Sequence, residues 1–286
     1  MVDHAIIIGA MKSGTSSLYQ YLVQHPQICP CSAKEPEFFS DHQDHAVEAK
    51  AYEHLWNVIP KQHAWCLEGS TGYTKYPEEP SVPQNMYTYG LQPRFIYILR
   101  HPIDRFISDY NYMRQHPYMD AGPLMDRERV ARSQYFLQLS RFLDWYPARD
   151  RYLLLRFEDL VSEPRAVVNR VFRFLDLSTD VSVDFGVYNK TQQVSVLEQW
   201  FRRSGLYRLR DLVPAAFHSR LRRALCMVSG IAHRTLTDAE REALHDALRA
   251  DVLKLASAFA FDVRPWGFDI SELSRTTKEH YDVEAM

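Results

Sequence analysis

Residues 5 to 22, AIIIGAMKSGTSSLYQYL, restrict the fold more than any other stretch of the chain. Ala5 to Ile8 is a short apolar run rich in β-branched Ile, the pattern of a buried strand. A small-residue turn, Gly9 to Gly14, follows and carries one cation, Lys12. Leu18, Tyr21, Leu22 and His25 then recur at helical spacing, which predicts a helix starting near Thr15. A strand that passes through such a turn into a helix makes an anion site. The first helical N–H groups lack intrahelical partners, and the helix dipole favours negative charge there. Lys12 adds a full positive charge, and Ser13, Thr15, Ser16 and Ser17 add hydroxyl donors. The turn is the expected cradle of a phosphate or sulfate group; the alternative is a strand–helix turn that merely contains Lys and Ser.

The order of residues in the turn separates it from two common nucleotide sites. A nucleoside-triphosphate P-loop reads G-x-x-x-x-G-K-[ST], with Lys after the second Gly. Here Lys12 precedes Gly14, so the cation meets the anion from a different point of the turn. The dinucleotide pattern G-x-G-x-x-G is absent too, because Gly9 and Gly14 are the only glycines in the turn.

At 286 residues the chain has room for one large α/β domain or two small ones, and 46% hydrophobic content is ordinary for a sizeable core. A formal charge of −2 gives no field of one sign that would advertise nucleic acid or a membrane surface. The 17 tyrosines suit clefts that stack bases or sugars. The apolar run at 5–8 is too short for a signal peptide, and no stretch approaches the roughly 18 apolar residues that span a bilayer. Cys29, Cys31, Cys66 and Cys226 are too few for a disulfide scaffold, and Cys29-Pro-Cys31 lacks the second pair a zinc site requires. A reduced, cytoplasmic protein without a metal or stable membrane insertion is the expectation.

Pro26 ends the first helix, and ICPCSAKEPEFFS (28 to 40), with two prolines and no periodicity, reads as a loop. Lys34, Glu35 and Glu37 stand just before the apolar pair Phe38-Phe39. A carboxylate held beside buried aromatics suits a general base, and Glu35 is the candidate; the alternative is a solvated loop charge. Residues 44 to 57 read as an amphipathic helix with Ala46, Ala49, Tyr52, Leu55 and Trp56 on its apolar side. AWCLE (64 to 68) reads as a second strand and runs into GSTGYTKYP (69 to 77). Loops leaving the carboxyl ends of parallel strands form the ligand crevice, so Ser70, Thr71 and Tyr73 are either substrate contacts or turn residues.

Phe95 to Leu99 is a third buried strand, and Pro102 suits the first position of the helix that follows. Ile103, Phe106, Ile107 and Tyr110 form its expected buried face. Arg100 then stands at a strand end and Ser108 about two turns into the helix. Together they can grip a second phosphate by a charge-assisted fork and a hydrogen bond. Read alone, the pattern is better taken as Arg100 pairing with Asp104 and Ser108 standing on the helix surface. RYLLLRF (151 to 157) is a further strand, followed by FEDL. Helices are expected over 130–146 and from Pro164. The last third is helical, with a capping box at Thr237 and Glu240 before the stripe Leu244, Leu248, Val252, Leu255 and Phe259. The basic run Arg203 to Arg223 reads as a solvated helical face.

The lysine turn, in the order K-[ST]-G-T, and R-H-P-x-x-R-x-x-S-x-Y at 100–110 together resemble the sulfotransferases that use 3′-phosphoadenosine 5′-phosphosulfate (PAPS). The likeness is greatest to bacterial and heparan-sulfate-type members. It implies that Lys12, Ser13, Gly14, Thr15 and Ser16 hold the 5′-phosphosulfate and that Arg100 and Ser108 hold the 3′-phosphate. KEPEFF resembles the heparan sulfate enzymes' segment with the catalytic base three residues before a Phe pair, which places that role on Glu35. FEDL also resembles the family's E-D-L segment. Two departures stand out. Gly69 follows Glu68 where those enzymes carry a Lys facing the reaction centre, so either Lys34 or another group takes that part or the acceptor site is built differently. Their later K-G-R segment is not evident either; Asn189-Lys190-Thr191 and Arg202-Arg203-Ser204-Gly205 are weak substitutes.

The combined expectation is a single domain over residues 1–286 with a P-loop-like α/β fold. It has a parallel sheet of about four or five strands flanked by helices, and a helical C-terminal part. The implied reaction moves a sulfuryl group from PAPS to an acceptor hydroxyl, or secondarily an amine, by in-line attack. Glu35 serves as base, Lys12 assists the leaving phosphate, and 3′-phosphoadenosine 5′-phosphate (PAP) is the product. A hydroxylated small molecule, lipid or carbohydrate is the expected acceptor, with Lys34, Ser70, Thr71 and Tyr73 as candidate contacts. No nucleic-acid partner is expected, and the oligomeric state is left open. A nucleotide-dependent kinase and a non-catalytic nucleotide-binding protein are the competing readings.

Overall fold

In the computed structural model, which describes residues 2–33, 35–41, 51–115, 121–186 and 233–269, the apolar runs of the sequence become one parallel sheet. Its strands are β1 (Asp3–Gly9), β2 (Ile28–Pro30), β3 (Trp65–Gly69), β4 (Arg94–Leu99) and β5 (Tyr152–Arg156), in the spatial order β2-β3-β1-β4-β5. All four pairings are parallel. The helices are α1 (Thr15–Leu22), α2 (Val82–Thr88), α3 (Pro102–Gln115), α4 (Arg127–Ala131), α5 (Tyr135–Leu143), α6 (Phe157–Ser162), α7 (Pro164–Phe174) and α8 (Asp238–Phe259).

A parallel sheet must be covered on both faces, and β1 shows how. Ile6 and Ile8 enter one core, while Ala5 and Ile7 enter the other, and all four are fully buried. The first core is closed by Met86 of α2, Leu139 and Phe142 of α5, and Val252 and Leu255 of α8. The second is closed by Leu18 and Leu22 of α1, Leu160 of α6, and Val168 and Val171 of α7. The capping box of α8 has both arms. Thr237 Oγ1 accepts from Glu240 N at 3.2 Å, and Glu240 Oε2 accepts from Thr237 N at 2.8 Å. No helix among the described residues is long and apolar enough to cross a membrane.

Four expectations are revised. Ile28–Pro30 is a strand rather than loop; it lies at the sheet edge beside β3, where proline is tolerated because one side of the strand needs no ladder donor. In the predicted helix 44–57, Tyr52–Leu55 is a single 3₁₀ turn, and Trp56 is extended and bridges Cys31. The predicted helix 130–146 starts only at Tyr135, after the short α4 whose N-terminus is capped by Asp126. On α3, Ile103 and Phe106 are buried as expected, but Ile107 and Tyr110 are only half-buried. Arg105 and Asp109 are buried instead. They can be, because Arg105 Nε donates to Ser133 Oγ at 2.7 Å and Asp109 pairs with Arg105 at 3.6 Å and Arg132 at 3.4 Å.

Candidate active site

Because β1 lies between β3 and β4 and all run parallel, their carboxyl ends emerge on one rim. Chain order reverses on the two sides of β1, which is where open α/β sheets bind ligands. The lysine turn leaves β1 here and is tied to β4 by Ala10 N donating to Ile98 O at 2.8 Å. Arg100 follows directly from β4, and the Ser70–Tyr73 turn follows from β3.

The lysine turn enters α1 through Gly14, whose φ of +82° is left-handed and whose place no side chain caps. A Cβ at Gly14 would come within 2.7 Å of the Phe157 ring, so only glycine lets the turn lie this close. The same Phe157 ring lies 5.3 Å from the Arg100 guanidinium. One aromatic side chain, at the start of α6 beyond β5, thus touches both the lysine turn and the arginine. Ser13 is fully buried and its Oγ has no partner among the described residues. An orphaned donor inside a turn that presents free helix-start N–H groups fits an anionic group.

Charge at this rim is positive and incompletely neutralised. Lys12 Nζ lies 4.1 Å from the centre of the Tyr112 ring. Burial lowers the Lys12 pKa, the Asp109 carboxylate opposes that, and the nearby Arg100 charge lowers it further. Mutual repulsion of Lys12 and Arg100 is the arrangement a polyanion would relieve. No described carboxylate forms an ion pair with Arg100, so the pairing with Asp104 is not formed. Ser108 is half-buried on α3, as are Thr15 and Ser16 on α1.

Across the rim, Glu35 is half-buried with φ +53°, and the Thr71 hydroxyl lies 3.4 Å from its Oε2. Burial raises the Tyr112 pKa first, and the Glu35 and Asp109 charges raise it further. Tyr112 therefore lies under the Lys12 ammonium and within the field of the Glu35 charge. Asp109, Tyr112 and Phe157 escaped the sequence reading. A signal was available for Asp109: Arg105 and Asp109 are spaced i,i+4 among apolar positions, the mark of a buried pair.

Ser70 and Tyr73 are buried, and their hydroxyls are committed to Glu68 at 2.6 Å each. They lie beneath the rim as supports rather than open contacts. Thr71 is the member of the trio whose hydroxyl faces Glu35. Lys34, Asn189-Lys190-Thr191, Arg202-Arg203-Ser204-Gly205 and the basic run to Arg223 lie outside the described residues.

Comparisons with known proteins agree with this geometry. A sequence model described as the sulfotransferase domain matches residues 2–200. Heparan sulfate glucosamine 3-O-sulfotransferase 6 of Mus musculus is 26% identical over 212 residues, covering 68% of this chain and 58% of that protein. The membrane-associated sulfotransferase kil1 of Dictyostelium discoideum is 31% identical over 110 residues, covering 38% of this chain and 23% of that protein. The chain thus spans little more than half, or less, of the length of these relatives. In fold it is similar to a sulfotransferase from Alicyclobacillus acidocaldarius, with a TM-score of 0.64 at 22% identity over 93% of this chain and 99% of that one. With the family's domain matched over more than half of its length, this chain belongs to the sulfotransferase family.

Proposed function

We propose that the chain transfers a sulfuryl group from PAPS to an acceptor hydroxyl, with an amine as the second choice. The observation that carries this reading is the convergence of Lys12 and Arg100 on one rim, joined through Phe157. PAPS, when bound, supplies an activated sulfuryl group and leaves as PAP. Lys12, Ser13, Gly14, Thr15 and Ser16 would hold the 5′-phosphosulfate, and Arg100 with Ser108 the 3′-phosphate. Glu35 takes the acceptor proton as the acceptor oxygen forms its bond to sulfur. The sulfur–oxygen bond to the phosphate breaks, and Lys12 neutralises the charge gained by that phosphate. Preorganised positive charge at a leaving group is typically the largest catalytic contribution.

For the acceptor, a hydroxylated carbohydrate is the first choice, because relatives matching two thirds of this chain are named for glucosamine in heparan sulfate. Lipid and small-molecule alcohols come next. The kinase reading is disfavoured by the position of Lys12 ahead of Gly14. Calorimetry with PAP and with Mg²⁺-ATP decides the donor: PAP should bind and ATP should not. A screen of labelled sulfate transfer from PAPS over hydroxylated and aminated sugars, lipids and phenols then identifies the acceptor. Binding of ATP in preference to PAP would overturn the assignment, and PAP binding without transfer to any acceptor would favour a non-catalytic role.

A further inference from the structure

Glu68, the residue before the last of β3, is a fully buried carboxylate. No described cation pairs with it; three hydroxyls do. Tyr52 donates to Oε2 at 2.5 Å, and Ser70 and Tyr73 donate to Oε1 at 2.6 Å each. Burial raises its pKa, and these three donors work against that shift. A buried acid without a counter-ion is costly, so its hydrogen bonds must be doing something besides packing.

The second bonds of those hydroxyls show what. With its hydrogen directed to Glu68, Ser70 Oγ accepts from Glu37 N at 3.0 Å. Tyr73 OH, directed the same way, accepts from Phe39 N at 3.3 Å. Both amides belong to the segment that carries Glu35. The Glu37 carboxylate in turn accepts from Gly72 N at 3.0 Å, and a Cβ at Gly72 would approach that carboxylate to 2.5 Å. Asn85 Nδ2 donates to Phe39 O at 3.0 Å. Glu35 and Glu37 both have left-handed φ, +53° and +46°, which a non-glycine residue keeps only when its surroundings over-determine it.

We propose that Glu68 is a positioning residue for the transfer reaction: through Ser70 and Tyr73 it fixes the 35–39 backbone and so aims the Glu35 carboxylate. This rests on the reading of Glu35 as general base. Glu68 Oε1 takes the hydrogens of two hydroxyls, whose lone pairs then face the Glu37 and Phe39 amides; a side chain with no acceptor at that place loses that one-way order. Misplacement of a catalytic group by about 1 Å can cost about 10²-fold in rate.

The test is a double-mutant cycle of Glu68→Met, which removes the acceptor at near-constant volume, and Glu35→Gln, read as labelled sulfate leaving PAPS for water and for the best acceptor of the screen. Expected results are a tenfold to hundredfold loss of turnover in Glu68→Met (about 10²-fold at most), unchanged PAP affinity by calorimetry, and no added loss from Glu68→Met once Glu35 is Gln. Tyr73→Phe, which leaves the Ser70 arm, guards against misfolding and should lose turnover to a smaller degree. Amide hydrogen exchange should quicken at both Glu37 and Phe39 in Glu68→Met, and at Phe39 but not Glu37 in Tyr73→Phe. Full additivity of the two losses, or Glu68→Met with unchanged turnover, overturns the proposal. If Glu35→Gln alone keeps its rate, the base assignment fails instead, and the amide exchange still decides whether Glu68 holds the segment.

Discussion

The two sides of the rim are built from the same kinds of residue and treat them in opposite ways. On the lysine-turn side, hydrogen-bonding capacity is left unused: Ser13 Oγ is buried without a described partner, and Arg100 has no described ion pair. On the β3 side, capacity is used up. Glu68 takes three hydroxyls, and Ser70 and Tyr73 each both donate and accept. A buried donor left unpaired costs about 1–3 kcal/mol, so a fold keeps one only where something else fills the need. A saturated network carries no such debt and acts as framework. Residue type alone does not distinguish a contact from a support; whether its neighbours have consumed its bonds does.

This contrast can be broken by substitution, beginning with the largest effect. Lys12→Ala should cut turnover about 10²–10³-fold, measured as single-turnover loss of labelled sulfate from PAPS. In the unsubstituted protein, PAP affinity should fall as pH rises through the lowered Lys12 pKa, since only the ammonium form pairs with phosphate. A profile flat up to the ordinary lysine range would count against that pairing. Glu35→Gln should lose about 10²-fold in turnover while calorimetry finds PAP affinity intact; a weakened affinity would move Glu35 to the donor side.

Arg100→Ala should weaken PAP binding about tenfold or more, the worth of a charge-assisted hydrogen bond. Equal affinities for PAP and for adenosine 5′-phosphate in the unsubstituted protein would show that the 3′-phosphate is not held at all. The smallest effects sharpen the comparison most. Ser13→Ala should leave the melting temperature unchanged or raised and reduce PAP affinity severalfold. Tyr52→Phe, which removes one donor from Glu68, should do the reverse, costing about 1–3 kcal/mol of stability with PAP affinity preserved. Matching behaviour of the two variants would erase the distinction.

Much of this was legible in the chain itself. β1, β3, β4 and β5 follow from β-branched or apolar runs between breakers, and α1 and α8 from 3.6-residue periodicity and a capping box. These are local signals, in which a few adjacent residues and the geometry of one helix or strand suffice. The lysine turn and the Arg100 segment were likewise readable as motifs. β2 was not, since three residues ending in Pro30 form a strand only because β3 lies alongside. Nor was the helix 44–57 correctly read over its described part, where the bridge from Trp56 to Cys31 holds the backbone extended.

What the sequence by itself determined is the strand–turn–helix anion site and the alternation of strands and helices that builds a covered parallel sheet. Only the tertiary structure decided that Phe157 links Gly14 to Arg100, that Arg105 and Asp109 face inward, and that Ser70 and Tyr73 serve Glu68. Each of these depends on groups brought together from distant positions. Burial and hydrogen-bond satisfaction are properties of that assembly, and no spacing along the chain encodes which polar group will find its partner already taken.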